Sequence, residues 1–266
     1  MSKINWRKRT PIDKLLQRNE FEIKNLEAQI KGKKTILVIP SSSLLLKENG
    51  ENIDRNFDTV VRVGHGYETD GLEEWTGTRT DILYHGLKPT PKRLNPFLVD
   101  SYDVRQLCYI CNWSIQRRGQ RYESICKRKN LDINVIPRPS WGSTLHKSRE
   151  LFNTEKFTKF KPLYGVGTLA DIIQFKPKEL MLYGADFYQA GHQPNYDARD
   201  RNFNFKKMKR LAHKFHHIPK NKIYTAMLVL HNDNVFIDES TFNALINCRL
   251  ISFQSKLDLE KKVKEL

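Results

Sequence analysis

The chain has 266 residues, of which 39% are hydrophobic, enough to build one large α/β domain or two small ones. Its 46 lysines and arginines outnumber 30 aspartates and glutamates, which gives a formal net charge of +16 and a pI of about 9.6. This composition excludes an intrinsically disordered chain. The positive charge favours polyanionic partners such as nucleic acid, anionic lipid headgroups or sugar nucleotides. A basic surface with no specific partner fits equally well.

The sequence contains no targeting or membrane signal that we can identify. Its start, MSKINWRKRT, lacks the apolar core of a secretory signal, and no run approaches the ~20 apolar residues needed to span a bilayer. We therefore expect a soluble, cytoplasmic protein. Cys108 and Cys111 have CxxC spacing, but no second CxxC or HxxxH follows at zinc-ribbon distance. The surrounding QLCYICNW is more typical of a buried strand, so we expect no bound metal.

Residues 10–31 have the pattern of one amphipathic helix. Thr10 is a suitable N-cap, Pro11 suits the first helical position, and apolar residues then recur at helical spacing. We expect residues 1–34 to form a basic N-terminal helix appended to an α/β domain over residues 35–266.

From residue 35 onwards, short apolar runs alternate with helical patterns, which predicts a single doubly wound α/β domain with a mostly parallel central sheet. The predicted strands are 35–40, 59–63, 81–86, 104–111, 133–137, 179–184 and 223–230. The predicted helices are 116–129, 143–153, 167–175, 204–215, 238–248 and 255–265.

The stretch KELMLYGADFYQAGH places a carboxylate and two aromatic rings directly after a predicted core strand. Asp186 comes two residues after Gly184, and Phe187 and Tyr188 follow it. In open α/β sheets, ligands bind outside the carboxyl ends of the strands. The stretch therefore predicts a binding site in which Asp186 holds a hydroxyl group of a ligand.

Two further turns have the composition of a phosphate site. Ser41, Ser42 and Ser43 follow the first predicted strand and offer hydroxyl and backbone N–H groups. Gly165 and Gly167 precede a helix that we expect to begin near Thr168, and glycines there would let the backbone approach an anion at a helix N-terminus. Neither turn is a Walker A or GxGxxG motif, and both are also consistent with ordinary turns.

Together these segments resemble the sialyl motifs of sialyltransferases. The long motif runs from an apolar strand through a Gly-Asn-Ser-type turn to a Phe-Asp-x-Val-x-Arg strand and a Gly-x-Glu-x-x-Gly-x-(Lys/Arg)-Thr segment. YGVGTLADIIQFKPKELMLYGADFY resembles the short motif, and its ending is similar to the Gly-Ile-Asp-Phe-Tyr of bacterial sialyltransferases. The resemblance covers residues 35–200. The matching positions of the long motif are Ile53, Asp54, Phe57, Asp58, Val60, Val61, Arg62, Gly71, Glu73, Glu74, Gly77, Arg79 and Thr80.

The resemblance implies a Rossmann-like domain of the GT-A-variant type and a glycosyltransferase activity. The implied reaction is a metal-independent, inverting transfer of a sugar from a CMP-sugar, or a related sugar nucleotide, to an acceptor hydroxyl. It needs no cofactor besides the donor substrate. The implied partners are the sugar nucleotide and a glycan or other hydroxyl acceptor, and nucleic acid would bind only through the basic surface.

Such a transfer needs a general base for the acceptor hydroxyl, and histidine is the usual choice. His192, in the polar loop after Asp186, is the first candidate, and a solvent-exposed loop histidine is the alternative reading. His213, on a basic helical segment, is the second candidate. Arg62 and His65, at the end of a predicted strand, are candidates for the nucleotide pocket.

Two other functions are compatible with the sequence. A basic protein that binds nucleic acid without catalysis would also carry this net charge. A degenerate transferase would bind nucleotide but lack the base. The oligomeric state does not follow from the sequence.

Overall fold

The computed structural model describes residues 12–87, 94–110, 113–138, 162–191 and 217–266. Within them, seven strands form one sheet: β1 Lys34–Val38, β2 Thr59–Val63, β3 Ile82–Tyr84, β4 Gln106–Ile110, β5 Asn134–Arg138, β6 Glu179–Tyr183 and β7 Val235–Ile237. The helices are α1 Ile12–Arg18, α2 Glu20–Ile30, α3 Gly50–Asn56, α4 Glu73–Thr76, α5 Pro96–Ser101, α6 Trp113–Arg128, α7 Tyr164–Ile173, α8 Ile218–Leu230, α9 Glu239–Ile246 and α10 Phe253–Glu260.

All six strand pairs of the sheet are parallel, in the order β5-β4-β3-β2-β1-β6-β7. This confirms the predicted doubly wound α/β fold. The strand β1 pairs with β2 on one side and with β6 on the other, so the order reverses at β1. A crevice forms beside such a reversal, at the carboxyl ends of the two strands, because the connections leave them in opposite directions.

The strands read as continuous apolar runs because the sheet is buried on both faces. Every residue of β2 is buried, and so are the last four residues of β1 and of β6. The main core cluster joins β6 and β7 to apolar residues of α2, α7, α8 and α9. A second cluster surrounds Leu107 and Tyr109 of β4 and includes Leu15 of α1.

The predicted N-terminal helix is wrong in one respect, because it is broken at Asn19. The Asn19 side chain donates a hydrogen bond to the carbonyl of Leu15 (2.7 Å), which ends α1 before α2 begins. Leu26 and Ile30 of α2 are fully buried in the main core cluster. Thr10 and Pro11 lie outside the described residues, and the division of the chain at residue 34 stays a prediction.

The strand predicted over residues 223–230 is wrong: these residues belong to α8. The strand at this edge of the sheet is β7, which the sequence did not suggest. The helix predicted over 255–265 ends at Glu260, and Val263 then forms a single bridge to Ile237 of β7. The predicted helices 143–153 and 204–215 lie outside the described residues. No helix within the described ranges is long and apolar enough to cross a bilayer.

A buried ion pair joins β5 to α7. Nε of Arg138 lies 2.7 Å from Oδ2 of Asp171, and a second guanidinium nitrogen lies 3.0 Å from Oδ1. The hydroxyl of Tyr84 donates to the same carboxylate (2.7 Å), and the guanidinium stacks 4.6 Å from the ring centroid of Phe175. Burial alone would lower the pKa of the Arg138 guanidinium, but the negative charge of Asp171 and its hydrogen bonds stabilise the protonated form and raise the pKa. The pair fixes α7 against the sheet.

We predict that Asp171→Asn lowers the free energy of unfolding by about 3–5 kcal/mol, because it leaves the charge of Arg138 buried without a counter-charge. Guanidinium denaturation measures this. Glu20→Gln, which breaks the exposed Glu20–Lys24 pair, is the matched control and should change nothing measurable. A loss below about 1 kcal/mol for Asp171→Asn would show that the pair is dispensable.

Candidate functional site

A cavity of about 90 Å³ lies at the carboxyl ends of β1 and β6, where the strand order reverses. Three segments surround it: the residues that follow β1, the first turn of α7 with the residue before it, and the loop that follows β6. Its lining residues are Ile39, Pro40, Ser41, Val63, Leu163, Tyr164, Gly165, Val166, Leu182, Ala185, Asp186, Phe187, Tyr188 and Gly191. The sequence predicted that these three segments contribute to one site, and in the fold all three line this cavity.

The serines after β1 form a tight turn. The hydroxyl of Ser41 accepts a hydrogen bond from the N–H of Ser43 (3.1 Å), and the N–H of Ser42 donates to the carbonyl of Gly191 (3.0 Å). Ser41 is the serine of this turn that lines the cavity. The N–H groups of Ser42 and Ser43 therefore already have hydrogen-bond partners within the protein. Ser41 is the residue through which the turn contacts the cavity.

The first turn of α7 faces the cavity directly. The helix begins at Tyr164, four residues earlier than predicted, so Gly165 and Gly167 lie inside its first turn. A Cβ atom on Gly165 would stand 2.5 Å from Cδ1 of Ile39. A glycine at this position lets the helix approach the end of β1 closely. Thr168 points back into the helix, where its hydroxyl donates to the carbonyl of Tyr164 (3.0 Å).

Gly184 allows the chain to turn at the end of β6. It has a φ of 78°, and an added Cβ would stand 2.7 Å from the carbonyl oxygen of Ile39. Its N–H donates to Asp238 at the N-cap of α9 (3.2 Å), and the N–H of Ala185 donates to Thr241 (2.9 Å). The loop after β6 is thereby attached to α9.

Asp186 holds the turn that follows. One carboxylate oxygen accepts from the N–H of Tyr188 (2.9 Å) and the other accepts from the N–H of Ala190 (2.7 Å). Phe187 and Tyr188 both have left-handed backbones, with φ of 54° and 66°. Two successive non-glycine residues seldom adopt this conformation, and the two hydrogen bonds of Asp186 compensate for its cost.

Tyr188 remains a neutral hydroxyl at physiological pH. Burial, reinforced by the negative charge of Asp186, raises the pKa of Tyr188 to about 12. The aromatic residues Phe187 and Tyr188 line the cavity together with Tyr164 from α7. The site thus has largely apolar walls with a few polar groups, which is typical of pockets for small ligands.

Arg62 braces a loop next to the site. It is fully buried, and its guanidinium donates to the carbonyls of Thr76 (2.6 Å), Arg79 (2.9 Å) and Gly66 (3.5 Å). Burial lowers the pKa of Arg62 to about 10. These bonds close the connection between β2 and β3 into a compact unit.

His65 and His85 do not line the cavity but contact it indirectly, through Tyr164. Nδ1 of His65 is 2.8 Å from a carboxylate oxygen of Glu68, and the two imidazole rings meet edge to face with centroids 5.0 Å apart. The carbonyl of His85 accepts from the hydroxyl of Tyr164 (2.8 Å), which lines the cavity. The two histidines therefore adjoin the site through Tyr164.

Of the predicted site residues, Ser41, Gly165 and Asp186 line the cavity. The other described ones are not among its lining residues: Ser42, Ser43, Arg62, His65, Gly167 and Thr168. His192 and His213 lie outside the described residues. Tyr164 was missed, although a tyrosine just ahead of a glycine-rich helix start is a recognisable signal. The ligand roles of all these residues stay predictions.

We predict that Asp186→Asn lowers the free energy of unfolding by about 1–3 kcal/mol, because its amide group places an N–H₂ opposite one of the two backbone N–H donors. Hydrogen exchange should become faster at the amides of Tyr188 and Ala190. Asp103→Asn, at an exposed surface position, is the control and should leave both quantities unchanged. Unchanged exchange in Asp186→Asn would show that the turn does not depend on the carboxylate.

No protein-family profile and no curated protein matches the chain. Among solved structures, the chain is similar to a mammalian sialyltransferase in complex with Gal-beta-1-3GalNAc-ortho-nitrophenol, with 13% sequence identity and a TM-score of 0.49, over 84% of this chain and 82% of the other. It is similar at the same identity and TM-score to a second structure of a mammalian sialyltransferase, over 87% of this chain and 80% of the other. A similarity at this level does not assign a function.

Proposed function

We propose that the protein is a sialyltransferase-like glycosyltransferase that moves a sugar from a CMP-sugar, or a related sugar nucleotide, to an acceptor hydroxyl. One observation carries the proposal. The cavity at the reversal of strand order is lined by the three segments in which the sequence resembles the sialyl motifs, represented by Ser41, Gly165 and Asp186. Ligands of open α/β sheets bind at this kind of position.

The first turn of α7 suits the phosphate of the donor. The first N–H groups of a helix have no partner within the helix, and the helix dipole favours negative charge at this end. Gly165 lines the cavity and has no side chain, which leaves room for the Ile39 side chain beside the helix backbone. A phosphate bound there would be stabilised as it becomes the leaving group, because the donors are fixed before the reaction begins. No metal ion enters this step of the proposal.

The size of the cavity limits how much of the donor it can hold. Whole-ligand clefts usually measure about 300–1,000 Å³. A space of about 90 Å³ accommodates one group of a sugar nucleotide, and the hydroxyls of Tyr164 and Tyr188 can orient that group by hydrogen bonding.

The proposed base is His192, with His213 as the second candidate. His192 follows Gly191, the last described residue that lines the cavity. A base there would remove the proton of the acceptor hydroxyl while the oxygen attacks the anomeric carbon from the side opposite the phosphate. The result is inversion at that carbon. Metal independence, inversion and a cytoplasmic location stay parts of this proposal.

We predict that CMP raises the melting temperature and that GDP does not. A ligand present at 100 times its Kd stabilises the native state by about 2.7 kcal/mol, and each kcal/mol raises the melting temperature of a chain of this size by about 2–4 °C. Thermal-shift titration with CMP, CDP, UDP and GDP measures this. Stabilisation by none of them would favour the nucleic-acid-binding alternative that the net charge of +16 allows.

We predict that Gly165→Val abolishes the shift produced by CMP, because the new side chain would project beside Ile39 at the cavity wall. Ala28→Val is the matched control: it adds the same side chain to an exposed position of α2, away from the cavity, and should keep the full shift. A full shift in Gly165→Val would place the nucleotide elsewhere.

We predict that His192→Ala lowers the turnover of sugar transfer by about 10²–10⁴-fold and leaves the thermal shift with CMP unchanged. Transfer is assayed with CMP-sugar donors and a panel of hydroxyl acceptors. His231→Ala, at the far end of α8, is the control and should retain full turnover. Normal turnover in His192→Ala with loss in His213→Ala would transfer the role to His213. CMP binding without transfer to any acceptor would identify a degenerate transferase.

A further inference from the structure

Three large apolar side chains project into solvent at the start of α10 and just before it. Leu250 is 67% exposed, Phe253 is 76% exposed and Leu257 is 39% exposed. Phe253 and Leu257 are four residues apart in the helix, so they lie on the same side of it. We call Leu250, Phe253 and Leu257 the apolar stripe. Single exposed apolar residues are ordinary, but three within eight positions are not.

The stripe stands on a rigid base. On the other side of α10, Leu259 is fully buried in the main core cluster, and Ile251 is buried between two members of the stripe. Ser252 caps the helix by accepting from the N–H of Ser255 (3.2 Å). The exposed side chains are therefore held outward by an anchored helix rather than by a frayed end.

Positive charge accompanies the stripe. Arg249 precedes Leu250, and Lys256 lies between Phe253 and Leu257. Within the described part of the chain, neither residue forms an ion pair. The nearby carboxylate of Asp258 is neutralised by Lys261, whose ammonium lies 2.9 Å away and whose hydrogen bond lowers the pKa of Asp258. The surface around the stripe thus combines apolar side chains with an excess of positive charge, because residues 249–266 carry five lysines and arginines against three aspartates and glutamates.

This combination fits a lipid surface better than a protein. A stable protein interface covers about 800 Å² on each partner, far more than three side chains supply. A second copy of the chain carries the same net charge of +16, so two stripes would repel one another. A nucleic acid would use the cations and stack a base on Phe253, but it would leave the aliphatic side chains of Leu250 and Leu257 exposed to water. An anionic bilayer satisfies both features, because apolar side chains enter the boundary between headgroups and acyl chains while lysine and arginine meet the headgroups.

We propose that the apolar stripe inserts into the surface of an anionic lipid bilayer and attaches the protein peripherally to the membrane. This proposal is independent of the proposed transferase activity.

Vesicle co-sedimentation of the full chain tests the proposal, with vesicles of phosphatidylcholine alone and of phosphatidylcholine with 30% phosphatidylglycerol. We expect binding to the anionic vesicles, and a partition coefficient at least about tenfold lower for the double variant Phe253→Ser, Leu257→Ser. The matched control is Phe21→Ser, which removes a phenylalanine that is 72% exposed on α2 and should bind as the parent does.

Salt separates insertion from simple charge attraction. At about 0.5 M salt, charge interactions are largely screened. We expect the parent protein to retain residual binding that the double variant lacks. Arg249→Gln with Lys256→Gln should weaken binding at low salt only. Equal binding of parent and double variant at both salt concentrations would overturn the proposal, because the basic surface alone would then account for attachment.

A spectroscopic readout keeps the test decisive if a serine variant folds poorly. Phe253→Trp should show a blue-shifted emission when anionic vesicles are added, whereas Phe21→Trp should not. An unshifted emission from Phe253→Trp would overturn the proposal. So would a dimer, detected by light scattering, that the double variant dissociates while neither protein binds vesicles.

Discussion

The pairing of β1 with both β2 and β6 is the constraint on which the rest of the structure depends. All strands of the sheet run the same way, so every strand delivers its following residues to one edge. The connections that follow β1 and β6 leave the sheet in opposite directions, which leaves a space between the carboxyl ends of these two strands. The register that aligns Val38 with Tyr183 brings the serine turn and the Gly184 turn level with one another. A shift of this register would separate the groups that line the cavity.

Two buried arginines secure the surroundings of this crevice in different ways. Arg62 donates its hydrogen bonds to backbone carbonyls of the connection that follows β2. Arg138 forms an ion pair with Asp171, which holds the helix whose first turn faces the cavity. Both are buried, so a change of salt concentration would hardly screen their interactions.

The sequence predicted the sheet well and the helices less well, for identifiable reasons. Parallel strands buried on both faces appear as uninterrupted apolar runs, and β1 and β6 were recognised this way. The same rule failed for IYTAMLVL, because a helix buried on most sides, as at Tyr224, Leu228 and Val229, also appears as an uninterrupted run. The break at Asn19 escaped because an amphipathic pattern continues through it.

The sequence predicted the segments that line the cavity, whereas the roles that it assigned to their residues stay predictions. Strand ends and glycines indicated where the chain would meet a ligand. The sequence did not indicate that Asp186 would bond to two backbone N–H groups, or that Arg62 would bond to carbonyls rather than face the crevice. Both outcomes depend on which backbone N–H and C=O groups the folded chain brings next to each side chain. The local sequence around Asp186 or Arg62 does not specify these groups.

The left-handed backbones of Phe187 and Tyr188 have a consequence for any effort to stabilise the protein. Replacing either residue by glycine would remove conformational strain, and at ordinary turns such relief is welcome. Here the strained residues are also the aromatic wall of the cavity. Selection for a sturdier chain and selection for a shaped recess therefore act in opposite directions on the same two positions.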